Sequence, residues 1–272
     1  MKVDVSVILV LYKSEDAIKG CLDSLKKGKG NLNIEILVVD NYPFDNAAKI
    51  AQLHPLKPKI FPQKENIGLS KAVNIALNNA SGKYIFLLNP DTRLVGNCLE
   101  KLFTFAETKE NLGAVAPKLL NYDNKIQPSV IKFPTILNAI KFYFFGCKDC
   151  FNKYFPGNKI TKVDIAVMAA FLIPMDTVKK VGGLDERFFL YYEDVEYCRR
   201  LYRAGLPVYY YPSASVKHAH GASGSFKSHL QSPLAKSAQI YHGKIGSDIL
   251  NLVLWAGQKW QKLIKKISSL KK

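Results

Sequence analysis

Several features are missing from this 272-residue sequence, and each absence excludes a class of protein. No stretch reaches the ~18 consecutive apolar residues that a membrane-spanning helix needs. The N-terminus carries Lys2 and Asp4 in a short apolar run without a small-residue cleavage site, so we expect a strand there and not a signal peptide. No G-x-G-x-x-G surrounds Gly182 and Gly183, which predicts a turn and not a phosphate-binding loop.

Cysteine is scarce. The five cysteines are an odd number, and without a secretory leader they favour a reducing compartment and a cytoplasmic protein. Cys147 and Cys150 have C-x-x-C spacing, but no second pair accompanies them, so we do not expect a structural zinc site.

Acidic residues are also few. The chain has 22 Asp and Glu against 39 Lys and Arg, a net charge of +17, which indicates an anionic partner: nucleic acid, a phosphorylated small molecule or a membrane surface. Hydrophobic residues make up 48% of the sequence, enough for one large α/β domain, or for one domain with an appendage.

The hydrophobic pattern predicts strands that alternate with helices. Buried strands are expected at residues 3–11, 34–39, 84–88 and 163–173, and helices after Ser14 and over residues 69–79. This alternation predicts a parallel, doubly wound α/β sheet, in which ligands bind beyond the carboxyl ends of the strands. Asp40, Asn89 and Asp91 fall at those ends.

Residues 182–200, called the acidic block below, hold five of the 22 acidic residues among phenylalanines and tyrosines. Burial disfavours a charged carboxylate unless a cation, metal or donor compensates, and proton transfer or cation binding is the usual reason for such an arrangement. The alternative is a surface turn followed by a helix with an acidic first turn.

Two further segments have unusual compositions. Residues 129–160 interleave aromatic residues with lysines, which fits either core packing or a flap that faces a membrane or an acceptor. Residues 226–272 hold nine lysines and one acidic residue, with apolar side chains at helical spacing: Leu252, Trp255, Ala256, Trp260, Leu263, Ile264 and Ile267. This segment is predicted to be a basic amphipathic helix on an anionic bilayer, the alternative being a helix that packs on the preceding domain. We therefore divide the chain into residues 1–225 and a helical C-terminal region, residues 226–272.

Five motifs occur in an order that resembles glycosyltransferase family 2, and its rhamnosyltransferase-like members in particular. They are VSVILVLYKS at the start, VVDN at 38–41, ENIGLSKAVNIAL at 65–77, LLNPD at 87–91 and the acidic block. The resemblance covers residues 3–223. It implies the GT-A fold, with the basic helix as an appendage, and transfer of a sugar from a nucleotide diphosphate to a hydroxyl acceptor.

The resemblance also implies roles for residues of the donor site. Asp40 matches the position that binds the nucleotide base, and Asn66, Gly68 and Asn74 match a stretch that lines the donor site. Asn89-Pro90-Asp91 stands in place of the family's Asp-x-Asp. Asp91 is then the carboxylate on a divalent cation, Mg²⁺ or Mn²⁺, while Asn89 supplies an oxygen or bonds the diphosphate.

Three more positions follow from the same resemblance. His218, rather than His220, matches a histidine that can be a further metal ligand. Asp194 matches the general base that takes the proton of the acceptor hydroxyl in an inverting displacement. Arg200 holds the carboxylates of the acidic block or a phosphate.

The expected function is thus metal-dependent transfer of a sugar to a lipid-linked glycan, by a peripheral protein at the inner face of the cell membrane. Deoxythymidine diphosphate rhamnose is the first donor to consider, and a uridine diphosphate hexose is the alternative. A basic nucleic-acid-binding protein is the rival from another class, but the sequence lacks a recognition motif for it. A non-catalytic assembly subunit is a second rival, against which the intact Asp91 and Asp194 argue.

Overall fold

The computed structural model describes residues 2–219 and 232–270. The strands of the described chain are Val5–Leu11 (β1), Ile34–Asp40 (β2), Lys59–Pro62 (β3), Tyr84–Leu88 (β4), Thr92–Val95 (β5), Ala114–Leu120 (β6), Ile126–Gln127 (β7), Val130–Ile131 (β8), Thr161–Val163 (β9), Ile165–Ala166 (β10), Ala170–Pro174 (β11) and Val208–His218 (β12). The helices are Glu15–Gly28 (α1), Ala47–Gln52 (α2), Leu69–Leu77 (α3), Cys98–Glu107 (α4), Ile136–Phe144 (α5), Met175–Val181 (α6), Glu193–Arg203 (α7) and Pro233–Leu270 (α8).

One mixed sheet organises the fold, in the order β3-β2-β1-β4-β11-β6-β12-β5. The first four strands are parallel, and β12 also runs parallel to β6. β11 is antiparallel to both of its neighbours, and β5 is antiparallel to β12. The carboxyl ends of β1, β2 and β4 therefore meet at one edge, as expected for a sheet whose ligands bind there.

Helices cover both faces of this sheet. One core cluster contains Ile18 and Leu22 of α1 with Leu102 of α4, and the other contains Val73 of α3 with Leu201 of α7. β1 is buried along almost its whole length, which explains its continuous apolar sequence. The predicted doubly wound α/β class is confirmed.

The prediction of one continuous strand over residues 163–173 is wrong, because this segment is divided among three short strands. The chain changes partners along this segment: β9 pairs with β12, β10 pairs with β8 in a separate two-stranded sheet, and β11 returns to the main sheet beside β4. At the break, Asp164 accepts a hydrogen bond from the backbone N–H of Phe133 at 3.4 Å. A continuous apolar run does not reveal such exchanges, because each short strand is buried in its own place.

Residues 129–160 form β8, α5 and a loop. Cys147 and Cys150 in this loop form a disulfide, whereas the odd cysteine count favoured reduced thiols; Cys21, Cys98 and Cys198 are free and buried. α5 packs against α8, where Tyr143 of α5 contacts the backbone at Gly257 so closely that a Cβ atom would collide with its ring. The two segments with unusual compositions are therefore neighbours.

α8 is broken at Gly243, which has a φ of 72°. Beyond this break Ser247, Leu250 and Gly257 are buried, whereas Leu252 and Trp255 are 63% and 61% exposed. The helix thus packs on the domain through one stripe and leaves most of its large apolar residues uncovered. Within the described residues, the helices are too short or too polar to cross a bilayer. The predicted boundary between residues 225 and 226 lies outside the described residues.

Candidate active site

Asp40 ends β2 at the edge where the parallel strands terminate. Its side chain is almost completely buried, and Oδ1 accepts a hydrogen bond from the backbone N–H of Tyr42 at 3.3 Å. Burial raises the pKa of this carboxyl, and Asp45 adds to the effect. A buried carboxylate with one backbone partner retains lone pairs for a ligand N–H.

Asn66 is linked to the same edge through Asn41, which the sequence analysis did not single out. The Asn41 amide donates to Asn66 Oδ1 at 2.9 Å and accepts from the backbone N–H of Ile67 at 3.0 Å. Asn66 Oδ1 also accepts from the backbone N–H of Gly68 at 3.0 Å. These bonds fix the loop before α3 against the end of β2. Asn41 is fully buried, and its position next to Asp40 was the available signal.

Gly68 and Asn74 contact the acidic block. Gly68 has a φ of 88°, and a Cβ at this position would lie 2.7 Å from the ring of Phe189. The Asn74 amide donates to the carbonyl of Leu184 at 2.8 Å and to Glu186 at 3.0 Å, and accepts from the N–H of Leu184 at 2.9 Å. These contacts are structural, and direct contact of either residue with a donor stays a prediction.

The turn after β4 holds Asn89 and Asp91. The backbone N–H of Asn89 donates to the carbonyl of Ala169 at 2.9 Å, and the Asn89 carbonyl accepts from the hydroxyl of Thr92 at 2.6 Å. Buried Cys21 of α1 lies beneath, with Sγ 3.6 Å from the same carbonyl. Backbone groups of Asn89 therefore fix the turn, and the side chains of Asn89 and Asp91 are not used for that purpose.

His218 meets Asp91 through strand register. β5 begins directly after Asp91, and its first residue, Thr92, pairs with His218 at the end of β12. As a result, His218 Nε2 lies 3.5 Å from Asp91 Oδ1 and 3.4 Å from Asn89 Nδ2. Burial raises the pKa of Asp91 to about 6. A bound cation would oppose this rise, because it favours the charged carboxylate.

Gln127 of β7 is a fourth side chain at this place, and the sequence analysis missed it. Its Oε1 lies 2.9 Å from His218 Nδ1, and its Nε2 donates to Asn121 at 3.1 Å. With the amide in this orientation Nδ1 donates to Oε1, and Nε2 is the ring nitrogen that faces Asp91 and Asn89. Metal-bound histidines typically donate their second N–H to such an acceptor. Neither spacing nor periodicity in the sequence relates Gln127 to His218.

Asp91 and His218 fit a divalent cation that also binds phosphates. Among residues 2–219 and 232–270, no three His, Cys, Asp or Glu side chains converge as a complete metal cage. Mg²⁺ and similar cations commonly use one or two protein ligands and complete their shell with substrate phosphate oxygens and water. A carboxylate and an imidazole nitrogen at the sheet edge suit this kind of site. His220, the alternative ligand, lies outside the described residues.

Asp194 lies in the first turn of α7 and is partly exposed. Its Oδ1 accepts from the backbone N–H of Val195 at 2.8 Å. Burial raises the pKa of this carboxyl, and the positive charge of Lys153 opposes the rise. The neighbouring Glu193 is buried, and its Oε2 has no hydrogen-bond partner among the described residues. Burial and the charge of Asp194 raise the pKa of Glu193. Two adjacent carboxyls with raised pKa values are typical of a site that accepts protons.

Arg200 connects α7 to the turn before it. Its Nε contacts both carboxylate oxygens of Glu196 at 2.9 Å, and its other nitrogens donate to the carbonyls of Val181 and Gly183. Of the two predicted roles, these contacts favour holding the acidic block. Binding of a phosphate by Arg200 stays a prediction.

Comparison with known proteins gives three kinds of similarity. The family model described as "Glycosyl transferase family 2" matches residues 6–155, more than half of the chain. The N-acetylglucosaminyl-diphospho-decaprenol L-rhamnosyltransferase of Mycobacterium tuberculosis is 26% identical over 250 residues, covering 82% of this chain and 79% of that protein. Rhamnosyltransferase WbbL of Escherichia coli is 27% identical over 233 residues, covering 82% of this chain and 86% of that protein.

A solved structure has a similar fold. The crystal structure of GalNAc-T7 with UDP, GalNAc and Mn²⁺ superposes with a TM-score of 0.66 at 14% sequence identity. The similarity covers 87% of this chain and 47% of that protein, so the present chain spans about half of its length. At this identity the likeness concerns the fold.

Proposed function

The chain belongs to glycosyltransferase family 2, in its rhamnosyltransferase-like branch, and we propose that it transfers rhamnose from dTDP-rhamnose to a lipid-linked glycan with inversion. The observation that carries the proposal is the pairing of Thr92 with His218, which brings the Asp91 carboxylate within 3.5 Å of an imidazole nitrogen at the carboxyl edge of the sheet. The fold is GT-A, and the chain is a glycosyltransferase.

In this proposal each residue has one task at the donor. Asp40 accepts a hydrogen bond from the nucleotide base, and the loop that Asn66 and Gly68 shape lies beside it. Asn89 donates to the diphosphate, and Asp91 and His218 hold a divalent cation. Such a cation would stabilise the charge that develops on the leaving diphosphate.

Asp194 acts at the acceptor. It takes the proton of the acceptor hydroxyl as that oxygen attacks the anomeric carbon, and a positioned base of this kind contributes roughly 10²–10⁴ in rate. Its raised pKa brings it closer to the operating pH, which favours proton transfer. Asn74 and Arg200 hold the acidic block that carries it.

The acceptor is proposed to be a sugar on a polyprenyl diphosphate. The M. tuberculosis relative is named for N-acetylglucosaminyl-diphospho-decaprenol, and the similarity to it extends over 82% of the present chain. A lipid-linked acceptor requires an enzyme at a membrane surface, which fits the net charge of +17.

The membrane-binding surface is proposed to consist of α5 and the part of α8 beyond Gly243. At 100° per residue, the exposed Ile245, Ile249, Leu252, Trp260 and Leu263 all lie on one flank of α8, about 80–160° around the helix axis from buried Leu250. Phe144 of α5 continues this surface, with its ring 6.3 Å from that of Trp260. Exposed lysines flank it: Lys141, Lys244, Lys259, Lys262 and Lys266. Exposed tryptophan and leucine with flanking lysine match an anionic bilayer, where each lysine contributes about 1 kcal/mol.

A donor screen tests the enzymatic proposal. The full chain is incubated with Mn²⁺, a polyprenyl-diphosphate-linked N-acetylglucosamine, and either dTDP-rhamnose or a UDP-hexose. Mass spectrometry then gives the mass of the sugar added to the lipid-linked acceptor. A deoxyhexose added only from dTDP-rhamnose is the expected result. A hexose added from a uridine diphosphate donor would establish the alternative donor, and no transfer from any donor would contradict the proposal.

Flotation with acidic liposomes tests the surface. Lys259→Glu combined with Lys262→Glu should reduce the bound fraction, while Lys26→Glu with Lys27→Glu on α1 changes the net charge equally and should not. Equal loss in both pairs would indicate attraction by overall charge, and no loss in either pair would contradict the proposed surface.

A further inference from the structure

The turn at Leu190–Tyr192 leads into the helix that carries Asp194. Tyr191 and Tyr192 have φ values of 68° and 66°, both in the left-handed region. For bulky residues each such conformation costs about 1–3 kcal/mol and persists only where surrounding contacts hold it. The contacts on this turn therefore set the direction in which α7 begins.

The start of α3, beside the proposed donor site, holds the residue that precedes this turn. The backbone N–H of Leu69 donates to the carbonyl of Phe189 at 2.7 Å, and Gly68 packs against the Phe189 ring. This contact joins the first turn of α3 to the acidic block.

The turn itself is held by the first segment of α8. The buried hydroxyl of Ser237 donates to the carbonyl of Leu190 at 2.9 Å. The ring of Tyr192 lies 5.4 Å from that of Tyr241 and 5.8 Å from that of His242. The hydroxyl of Tyr192 also lies 3.5 Å from His242 Nε2. Three side chains of one helical segment thus contact Leu190 and Tyr192, the first and last residues of the turn.

Tyr241 is fixed to α7 as well. The guanidinium of Arg199, in the second turn of α7, lies 4.2 Å from the centre of the Tyr241 ring. Tyr241 therefore bridges the left-handed turn and the helix that follows it. The segment ends at Gly243, where α8 breaks, so this bridge is separate from the proposed membrane-binding stretch.

We propose that Ser237 and Tyr241 are positioning residues for Asp194: they hold the Leu190–Tyr192 turn in its left-handed form and thereby aim the base at the acceptor hydroxyl. This inference rests on the proposed function, because it needs Asp194 to be the base. It places the first segment of α8 in the catalytic unit, although every assigned residue of the site precedes it in sequence.

Point variants of the full chain test this role. Tyr241→Ala should lower kcat about 10-fold or more with the donor KM unchanged, because a displacement of about 1 Å can cost 10²-fold. Ser237→Ala, which removes one hydroxyl, should lower kcat by a smaller factor. Tyr241→Phe keeps the ring contacts and should restore most of the rate. Ile240→Ala is the control, because Ile240 is adjacent in α8 and 38% exposed.

Two further readouts separate positioning from a general loss of structure. Hydrogen exchange of residues 186–195 should rise in Tyr241→Ala and not in Ile240→Ala. The acid limb of the kcat/KM profile should move to lower pH in Tyr241→Ala, because a loosened turn exposes Asp194 and reduces the burial that raises its pKa.

Each outcome supports or overturns the inference. Wild-type kcat and exchange in both Tyr241→Ala and Ser237→Ala would overturn the positioning role while leaving the proposed function intact. If Tyr241→Ala does not fold, Ser237→Ala decides by the same measurements. A wild-type chain that transfers no sugar would instead overturn the proposed function, and the positioning role with it.

Discussion

The donor edge and the acidic block differ in how their residues are held. Asp40, Asn89, Asp91 and His218 stand at the ends of strands, and backbone ladders of a buried sheet place them. The acidic block has little regular structure before Glu193, and this irregular part is held by side chains of α3, α7 and α8. Asn74 and Arg200 fix its beginning, and Ser237 and Tyr241 meet its turn.

This difference determines whether replacing a side chain also moves the backbone of the site. At the donor edge a side chain can be replaced with little effect on the backbone, because the ladder hydrogen bonds remain. In the acidic block a replaced neighbour alters the position of the catalytic carboxylate itself. The comparison predicts that substituting a residue that reacts or binds causes a large loss of activity with little loss of stability. Substituting a residue that holds such a residue in place should cause a smaller loss of activity, which depends on how far the reacting group moves.

The largest expected effect is that of Asp194→Asn. Turnover should fall by roughly 10² or more, while donor binding and the melting temperature stay close to wild type, because only the proton acceptor is lost. Single-turnover kinetics together with a thermal melt measure both. Asp185→Asn is the matched control, since the Asp185 carboxylate is occupied by Arg187 at 2.6 Å. Turnover of Asp194→Asn within a few-fold of wild type would assign the base to another carboxyl, with Glu193 the next to test.

At the donor edge, Asp91→Ala and His218→Ala should each raise the Mn²⁺ concentration for half-maximal rate by about 10-fold or more, with weaker donor binding. Both side chains are near the ends of paired strands, so the melting temperature should change little. Titration of Mn²⁺ at fixed donor measures the effect, and His220→Ala is the control from the same sequence segment. Identical titrations for His218→Ala and wild type would remove His218 from the site.

Sequence pattern predicted the donor edge better than the contacts around it. Asp40 and Asp91 follow continuous buried strands, and such strands end at a common edge whatever the rest of the fold does. The contact of His218 with Gln127 requires β7 and β12 to flank β6, a pairing between distant segments that no local pattern encodes.

The acidic block was recognised by composition, but its supports were not. The sequence assigns Asn74 to the donor site, and it leaves Arg200 with two possible roles, holding the acidic block or binding a phosphate. In the structure the contacts of both residues hold the acidic block. Ser237 and Tyr241 lie in a segment that was predicted to be an appendage. Long-range side-chain contacts of this kind depend on tertiary packing and leave no periodicity in the sequence.

Gln127→Leu sharpens the comparison, because it changes a holding residue at the donor edge. Loss of the acceptor for His218 Nδ1 should weaken Mn²⁺ binding about 10-fold, at the lower end of the usual effect of such partners. Direct Mn²⁺ binding by electron paramagnetic resonance measures it without turnover, and ¹⁵N shifts report whether Nδ1 of His218 keeps its proton. Gln52→Leu, at an exposed position of α2, is the control. Unchanged Mn²⁺ binding would mean that the ladder alone orients His218.

The smallest expected effect is on stability and its dependence on pH. Burial and the neighbouring Asp194 raise the pKa of Glu193 in the folded chain. A raised pKa means that the folded state binds this proton more tightly. The contribution of the proton to stability is therefore fully present below the unfolded pKa, near 4.5, and is lost as pH rises through the folded pKa.

Glu193→Gln keeps the neutral, protonated shape at every pH. It should leave the melting temperature nearly unchanged at pH 4, below the unfolded pKa, and raise it by roughly 2–4 °C at pH 8, the shift that about 1 kcal/mol produces in a chain of this size class. Differential scanning calorimetry at both pH values measures this, with the exposed Glu110→Gln as control. Equal shifts at pH 4 and pH 8 would show that the gain comes from packing of the amide. A gain confined to high pH would show that the acidic block keeps a carboxyl that reduces its own stability, as expected where geometry serves proton transfer.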